Sequence, residues 1–500
     1  MPLFGHRKAG GAIVPSIAKD ARSGEIPLGA DDTPKAPSSL GAFAWALFEG
    51  ARTPYVPLVT IYIFAPYVVA TFMGGDRPGA SLEGQEILSR WNTYSSIVLM
   101  FTAPFLGASI DHLGRRKTWL ALIVALIVSL TFSLWWARPD HSGLGVVTVL
   151  LILSTLNILF PYSEVLHNSL LVRAVGMGNV HKASGLAPSL ANVFALVALS
   201  YTAWAFALPG QVDWAWVPDK PLFGLDRSLH EPERIVAPIA AMIFLIGSIP
   251  FFLFTPDAEP TGAPLRHALA NGAATLWRMV LTVKNYRDAA TFLVARMFYC
   301  DGMTAVLLYC GIYLGGVMRW GPLDLLIFGI LLCVVAIAGG FVSRWLDAAI
   351  GPKRAVLVEI LVPLVSLLAF MGNTPDTILY FWHYDAAIHP PLWNGPVFRT
   401  LPDLVMLLIG LPLAIFITAN YASSRTLLTR LTPPKYAGAF FGLYALSGTA
   451  TLWLGNLVVN LGTRIFNSQQ GGFATIAVLL LMGFVGLLFV RGGGRIDAQS

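Results

Sequence analysis

The chain has 500 residues, 56% of them hydrophobic and only 12% charged, and a mean hydropathy of +0.67. Polar groups this scarce could not cover a soluble protein of that size, so the composition excludes a soluble globular protein and places the chain in a membrane. The formal net charge of +6 needs no nucleic-acid partner; a basic rim against an anionic inner leaflet accounts for it.

In chain order, the first forty residues are polar and rich in Gly, Pro and Ser. They lack the apolar core and small-residue cleavage site of a signal peptide, and a disordered cytoplasmic tail is expected. About twelve apolar runs follow, near 42–72, 91–110, 118–137, 145–171, 184–208, 234–254, 289–317, 322–346, 354–371, 403–428, 437–461 and 472–490. Each suffices for a helix across a bilayer, and none shows the two-residue alternation of a barrel strand. With the N-terminus inside, the tails and the inner loops carry about 22 of the 33 Lys and Arg. The positive-inside bias therefore puts both termini in the cytoplasm. Cys300, Cys310 and Cys333 lie inside apolar runs and read as core residues. No metal or cofactor motif is recognisable; the two His and the Asp of "HYDAAIH" at 383–389 have no good ligand spacing.

Four features recur between the halves. "FEGARTPYVPLVTIYIF" in the first span resembles "YCDGMTAVLLYCGIYLG" in the seventh, setting Glu49-Gly50 opposite Asp301-Gly302. "GASIDHLGRRK" has a worn counterpart in "SRWLDAAIGPKR", setting Asp111 opposite Asp347. "SLLVR" at 169–173 matches "TLLTR" at 426–430, and Lys182 faces Lys435. The expected fold is all-α: twelve transmembrane helices in two pseudo-symmetric six-helix bundles, 41–254 and 289–490, the architecture of the major facilitator superfamily. The linker 255–288 has apolar residues at helical spacing between Leu265 and Val283, predicting an amphipathic helix on the inner leaflet. Residues 491–500 form a cytoplasmic C-terminal tail.

The polar residues inside the spans are the candidate solute and ion-coupling groups. Each charge facing lipid would cost about 2.5–3.5 kcal/mol at a helix centre, so Glu49, Arg52, Glu164, Arg296, Asp301 and Arg425 should face protein or a wet cavity. Glu49 and Arg52 can pair one turn apart; Arg296 and Asp301, five apart, should look elsewhere. Asn157, Glu164 and Asn168 form one stripe on the fourth span. Pro54, Pro57 and Pro66 should bend the first span and free backbone carbonyls. Pseudo-symmetry would bring Glu49 and Asp301 to the interface between the bundles. At the basic end, Gly107, Asp111, Gly114, Arg115, Arg116 and Lys117 make a candidate cytoplasmic gate: a glycine for close helix approach, an acid for a helix N-terminus, and cations for carboxylates or lipid.

That motif resembles the loop between the second and third helices of the major facilitator superfamily. "WALFEGARTPY", "FYCDGMTAVLLYCGIY" and "SSRTLLTRLTPPKYAGAFFGLYALSGTATLWLGN" resemble the vacuole-effluxer-like branch, through Trp45, Asp301, Gly302, Ser424, Arg425, Phe440, Phe441, Gly442 and Tyr444. The resemblance implies export of a small polar solute, an amino acid or related metabolite, by a monomeric permease of a bacterial inner membrane. Lacking a phosphate loop, it should be driven by protons or another ion. No catalytic set is present, so an enzyme is not expected. The rival reading is a non-transporting sensor or assembly factor on the same fold.

Overall fold

A computed structural model describes residues 39–74, 80–113, 115–170, 174, 180–257, 281, 286–385, 387–432, 440, 443–444, 447–448 and 451–491, with side chains at all of these save 39, 80, 104–105, 107–113, 180–186 and 188–189. The tail expected at 1–40 lies outside this set up to residue 38, as do nearly all of the linker and the C-terminal tail beyond Arg491. The described helices are α1 (Leu40–Phe72), α2 (Ala80–Leu113), α3 (Arg116–Ser133), α4 (Val146–Ser169), α5 (Val180–Thr202), α6 (Val236–Phe254), α7 (Arg287–Val317), α8 (Pro322–Ile350), α9 (Pro352–Met371), α10 (Leu401–Leu431), α11 (Leu452–Phe466) and α12 (Gln469–Leu488). An antiparallel hairpin, β1 (Thr377–Ile378) with β2 (Trp382–His383), sits between α9 and α10.

The packing repeats. In the first half α1 packs on α5 and α6, α2 on α4, α3 on α4 and α6; in the second α7 packs on α11 and α12, α8 on α10, α9 on α10 and α12. The halves meet through α2 with α11, α5 with α8, and α1 with α7. Among the described residues ten helices are long and apolar enough to cross a membrane.

The contact between α2 and α11 is polar. Gln85 donates to Thr463 Oγ1 at 2.9 Å, Asn456 to Ser96 Oγ at 3.3 Å, and Asn460 to the Glu86 carbonyl at 2.9 Å and Ser89 Oγ at 3.3 Å. Gln469, opening α12, reaches the Ser81 carbonyl and hydroxyl, and Arg464 pairs with Glu86 at 3.3 Å. The polar residues that lower the hydropathy of both helices are satisfied by each other, as a low-dielectric setting requires. The zipper also extends the second helix beyond its apolar run at 91–110: α2 already begins at Ala80, because its polar first turns have α11 and α12 to bind.

The first span is irregular where its prolines fall. After Arg52 the α-helix gives way to π-helical turns at Val56–Tyr62 and Val68–Phe72, with Ile63 N–H reaching back to Leu58 O and Met73 N–H to Val68 O. A proline ring excludes the ordinary carbonyl partner four residues back, and the wider turn accommodates it. The distorted stretch meets Gly311 of α7, where a Cβ would overlap the Ile61 carbonyl. Cys300 and Cys310 are buried, Cys333 half-buried, and all three are unpaired.

Candidate functional site

The first half gathers three of the sequence-selected charges. Arg52 donates to Glu49 Oε1 at 2.7 Å, one turn back on α1, and to Glu164 Oε2 and Phe160 O on α4, both at 3.3 Å. Side-chain exposure is 11% for Arg52, 24% for Glu49 and 53% for Glu164. A half-exposed carboxylate on an apolar span is costly against acyl chains, and Glu164 stands near the C-terminal end of α4, six residues before Leu170.

The other side of Glu49 is closed by a group the sequence reasoning missed. His167 is fully buried, stacked between Trp45 at 4.4 Å and Phe48 at 4.5 Å, with its Nδ1 3.6 Å from Glu49 Oε2. Its Nε2 lies 2.9 Å from the Trp45 carbonyl, and the Trp45 indole N–H donates back to the His167 carbonyl at 3.0 Å. The signal was present: His167 stands three residues after Glu164 on the stripe already singled out.

Of that stripe, Asn157 donates to Asn92 Oδ1 of α2 at 2.8 Å, and Asn168 is exposed. Asn92 and Asn157, with Tyr55, Thr60 and Tyr309, line a cavity of about 20 Å³ among α1, α2, α4 and α7. That is room for one water molecule and too little for an amino acid.

In the second half Arg296 and Asp301 do look elsewhere. Arg296 donates to the Tyr444 carbonyl and Ser447 Oγ, both at 2.7 Å, with its guanidinium 3.6 Å from the centre of the Tyr444 ring. Asp301, 2% exposed, accepts from Gly455 N–H of α11 at 2.7 Å. Gly455 sits in the first turn of α11, where backbone N–H groups have no helical partner, so the carboxylate caps that helix. Among the described residues Asp301 has no cation within ion-pairing distance, and no hydrogen bond or ion pair joins it to Glu49. Arg425 is exposed on α10. Glu359 of α9 is wholly buried: Ser423 Oγ donates to its Oε1 at 2.8 Å, while Oε2 has no hydrogen-bond partner among the described residues.

The basic motif pins helix ends. Arg116 donates to Ser169 O, the last residue of α4, at 2.7 Å. Lys117 donates to Phe252 O and Thr255 O, both at 2.7 Å, at the end of α6, while its N–H binds Asp257 Oδ1 at 3.0 Å. Cations thus satisfy the orphan carbonyls at the negative helix poles. In the second half Lys353, opening α9, donates to Leu488 O at the end of α12 at 3.3 Å. Lys117 and Lys353 are separated by the same spacing as Asp111 and Asp347. Arg115 adopts a left-handed backbone, φ 33°, and is exposed. Gly107 and Asp111 fall in α2 without described side chains, and Gly114 lies outside the described residues.

Residues 225–495, more than half of the chain, match the family model described as vacuole effluxer Atg22 like. The chain belongs to that family. Over 452 residues, 89% of its length, it is 21% identical to an uncharacterised MFS-type transporter, YxiO, of Bacillus subtilis, and covers 94% of that relative. It is 25% identical over 291 residues to autophagy-related protein 22-1 of Aspergillus niger, a match that spans 54% of this chain and 44% of the fungal protein. Among solved structures, a D-xylose-proton symporter superposes with a TM-score of 0.59 at 13% identity, covering 92% of this chain and 98% of the symporter. The nucleoside transporter NupG superposes with a TM-score of 0.57 at 11% identity, covering 90% and 98%. At such identities the likeness shows the fold, that of the major facilitator superfamily. This member of the Atg22-like family is therefore an integral membrane transporter of the MFS type.

Proposed function

We propose that the protein is a secondary active transporter that moves a small polar solute by alternating access, coupled to protons or another ion. Two bundles, 41–254 and 289–490, rock against each other about the α1–α7 contact. In the described conformation the α2–α11 zipper holds one end shut while Glu164, Asn168 and Arg425 are exposed toward the basic end. Read with the positive-inside bias, this is an inward-facing state of a monomer in a bacterial inner membrane, both termini cytoplasmic. Amino acids and related metabolites are the solute class, and export the direction, that the effluxer family supports.

The observation that carries the proposal is the Glu49–Arg52–Glu164 cluster, a charged knot inside apolar helices with Glu164 half exposed. Intramembrane charges are costly and mark solute and ion pathways. Arg52 supplies planar donors suited to a solute carboxylate, which Glu164 would release on competition. The test is purified protein in liposomes with an imposed pH gradient and a mixture of isotope-labelled amino acids. Gradient-dependent uptake or release, abolished by Arg52→Ala, is expected. No flux of any amino acid beyond empty liposomes would overturn the amino-acid reading, and none across sugars and nucleosides as well would overturn transport of a small polar solute.

A further inference from the structure

We propose that His167 and Glu49 together hold one exchangeable proton, and that this pair is the proton-binding element of the cluster. The inference rests on the ion-coupled reading for its purpose but not for its evidence, which is geometric. The Trp45 carbonyl has no hydrogen to give, so the ring nitrogen facing it at 2.9 Å, Nε2, carries the N–H. In a neutral ring the other nitrogen, Nδ1, then presents a lone pair. That lone pair is fully buried, has no hydrogen-bond partner, and is aimed at Glu49 Oε2 3.6 Å away. Two acceptors face each other across a gap slightly too long for a hydrogen bond, an arrangement that one added proton turns from repulsive to attractive.

Charge counting gives the same answer. Among the described residues Glu49 and Glu164 share the single cation Arg52, leaving the cluster one negative charge in excess, and one proton neutralises it. Among the described residues the groups around the imidazole offer no substitute; on α5, which packs on α1, the His181 and Lys182 side chains lie outside that set. From α6 it meets the Phe251 ring at 5.3 Å, and Val236–Phe254 contains no ionisable residue. On α3, Arg116 and Lys117 are held by the helix-end carbonyls of α4 and α6. On α2, Glu86 is held by Arg90 and Arg464, and the Asp111 side chain lies outside the described residues. From α1 come only Glu49 itself and Arg52.

A proton enters past the half-exposed Glu164, lands on Glu49 Oε2, and passes to Nδ1 when the gap closes; the Nε2–H bond to Trp45 stays intact throughout. Stacking between Trp45 and Phe48 fixes the ring plane, so the movement needed is that of the Glu49 carboxylate. Once protonated, the pair no longer competes for Arg52, whose guanidinium becomes available to an anionic solute group. Proton binding and solute binding are thereby linked through one side chain.

The experiment uses the full chain in lipid nanodiscs with ¹⁵N-labelled histidine, His167 assigned by the loss of its signals in His167→Gln. At alkaline pH the ring should show the Nε2–H tautomer; on acidification Nδ1 should become protonated. In Glu49→Gln the ring should stay neutral across the range in which the wild type responds. A ring carrying its hydrogen on Nδ1, or a pH response unchanged by Glu49→Gln, would overturn the proposal, and the tautomer is read on wild-type protein even if the variants fold poorly. If the pair titrates as described while liposomes show no flux, the transport reading fails and this proton site stands.

Discussion

Arg52 is the residue on which the first-half cluster depends, since among the described residues it alone balances two carboxylates. Removing one partner of a buried ion pair costs up to about 3–5 kcal/mol, because the other charge is left uncompensated; the partial exposure of Glu49 and Glu164 will reduce this. Arg52→Ala should therefore lower the unfolding midpoint clearly, while the double variant Arg52→Ala/Glu49→Gln should recover part of the loss. Strict additivity in that double-mutant cycle would mean the pair is not coupled. Asp301 gives a different signature. As the cap of Gly455 N–H it should tolerate Asp301→Asn, which keeps an acceptor oxygen, whereas Asp301→Ala should cost about 1–3 kcal/mol for the orphaned donor. Equal melting of the two variants would remove the capping role; loss of pH-driven flux in the stable Asn variant would show that the carboxyl also takes part in coupling. At this scale the sequence reveals the charges, because charge inside an apolar run is conspicuous. It does not reveal His167, whose partner lies 118 residues away on α1 and whose type is common in ordinary cores.

At the scale of elements, composition marks the spans, α2 and α11 included as the runs at 91–110 and 437–461, but not the polar pairing that holds these two helices together. The prolines of α1 announce a distortion; its form, π-helical turns that press a carbonyl against Gly311, depends on a helix far along the chain. Gly311→Val should therefore cost about 1–3 kcal/mol from forced displacement of α1 against α7. A melting point equal to wild type would show that the contact yields freely. The helix-end lysines allow a graded comparison. Lys117 serves two carbonyls of α6 at 2.7 Å and Lys353 one of α12 at 3.3 Å. Charge at a helix C-terminus contributes about 0.3–1 kcal/mol when exposed and up to about 2 kcal/mol when partly buried. Lys117→Met should thus destabilise more than Lys353→Met, and the reverse order would contradict the capping account.

At the scale of the whole molecule the internal repeat is the deepest feature legible in the sequence: the offset that pairs Asp111 with Asp347 also pairs two lysines performing the same task in each half. What the sequence leaves open is how the halves engage, because that depends on contacts between residues 360 or more positions apart, such as Ser96 with Asn456. Six hydrogen bonds cross from α2 to α11 and the start of α12. At about 0.6 kcal/mol each in a membrane they bias the closed end by roughly 4 kcal/mol, enough to favour one state and small enough for ligand binding to reverse. The most direct measurement is a pair of spin-label distances, Glu83 to Ile465 at the zipper end and Thr118 to Arg354 at the basic end, with the native cysteines replaced by alanine. Breaking the zipper with Gln85→Ala/Asn460→Ala should lengthen the first distance and shorten the second together. Distances that stay fixed, or that lengthen at both ends, would contradict alternating access by two rocking bundles.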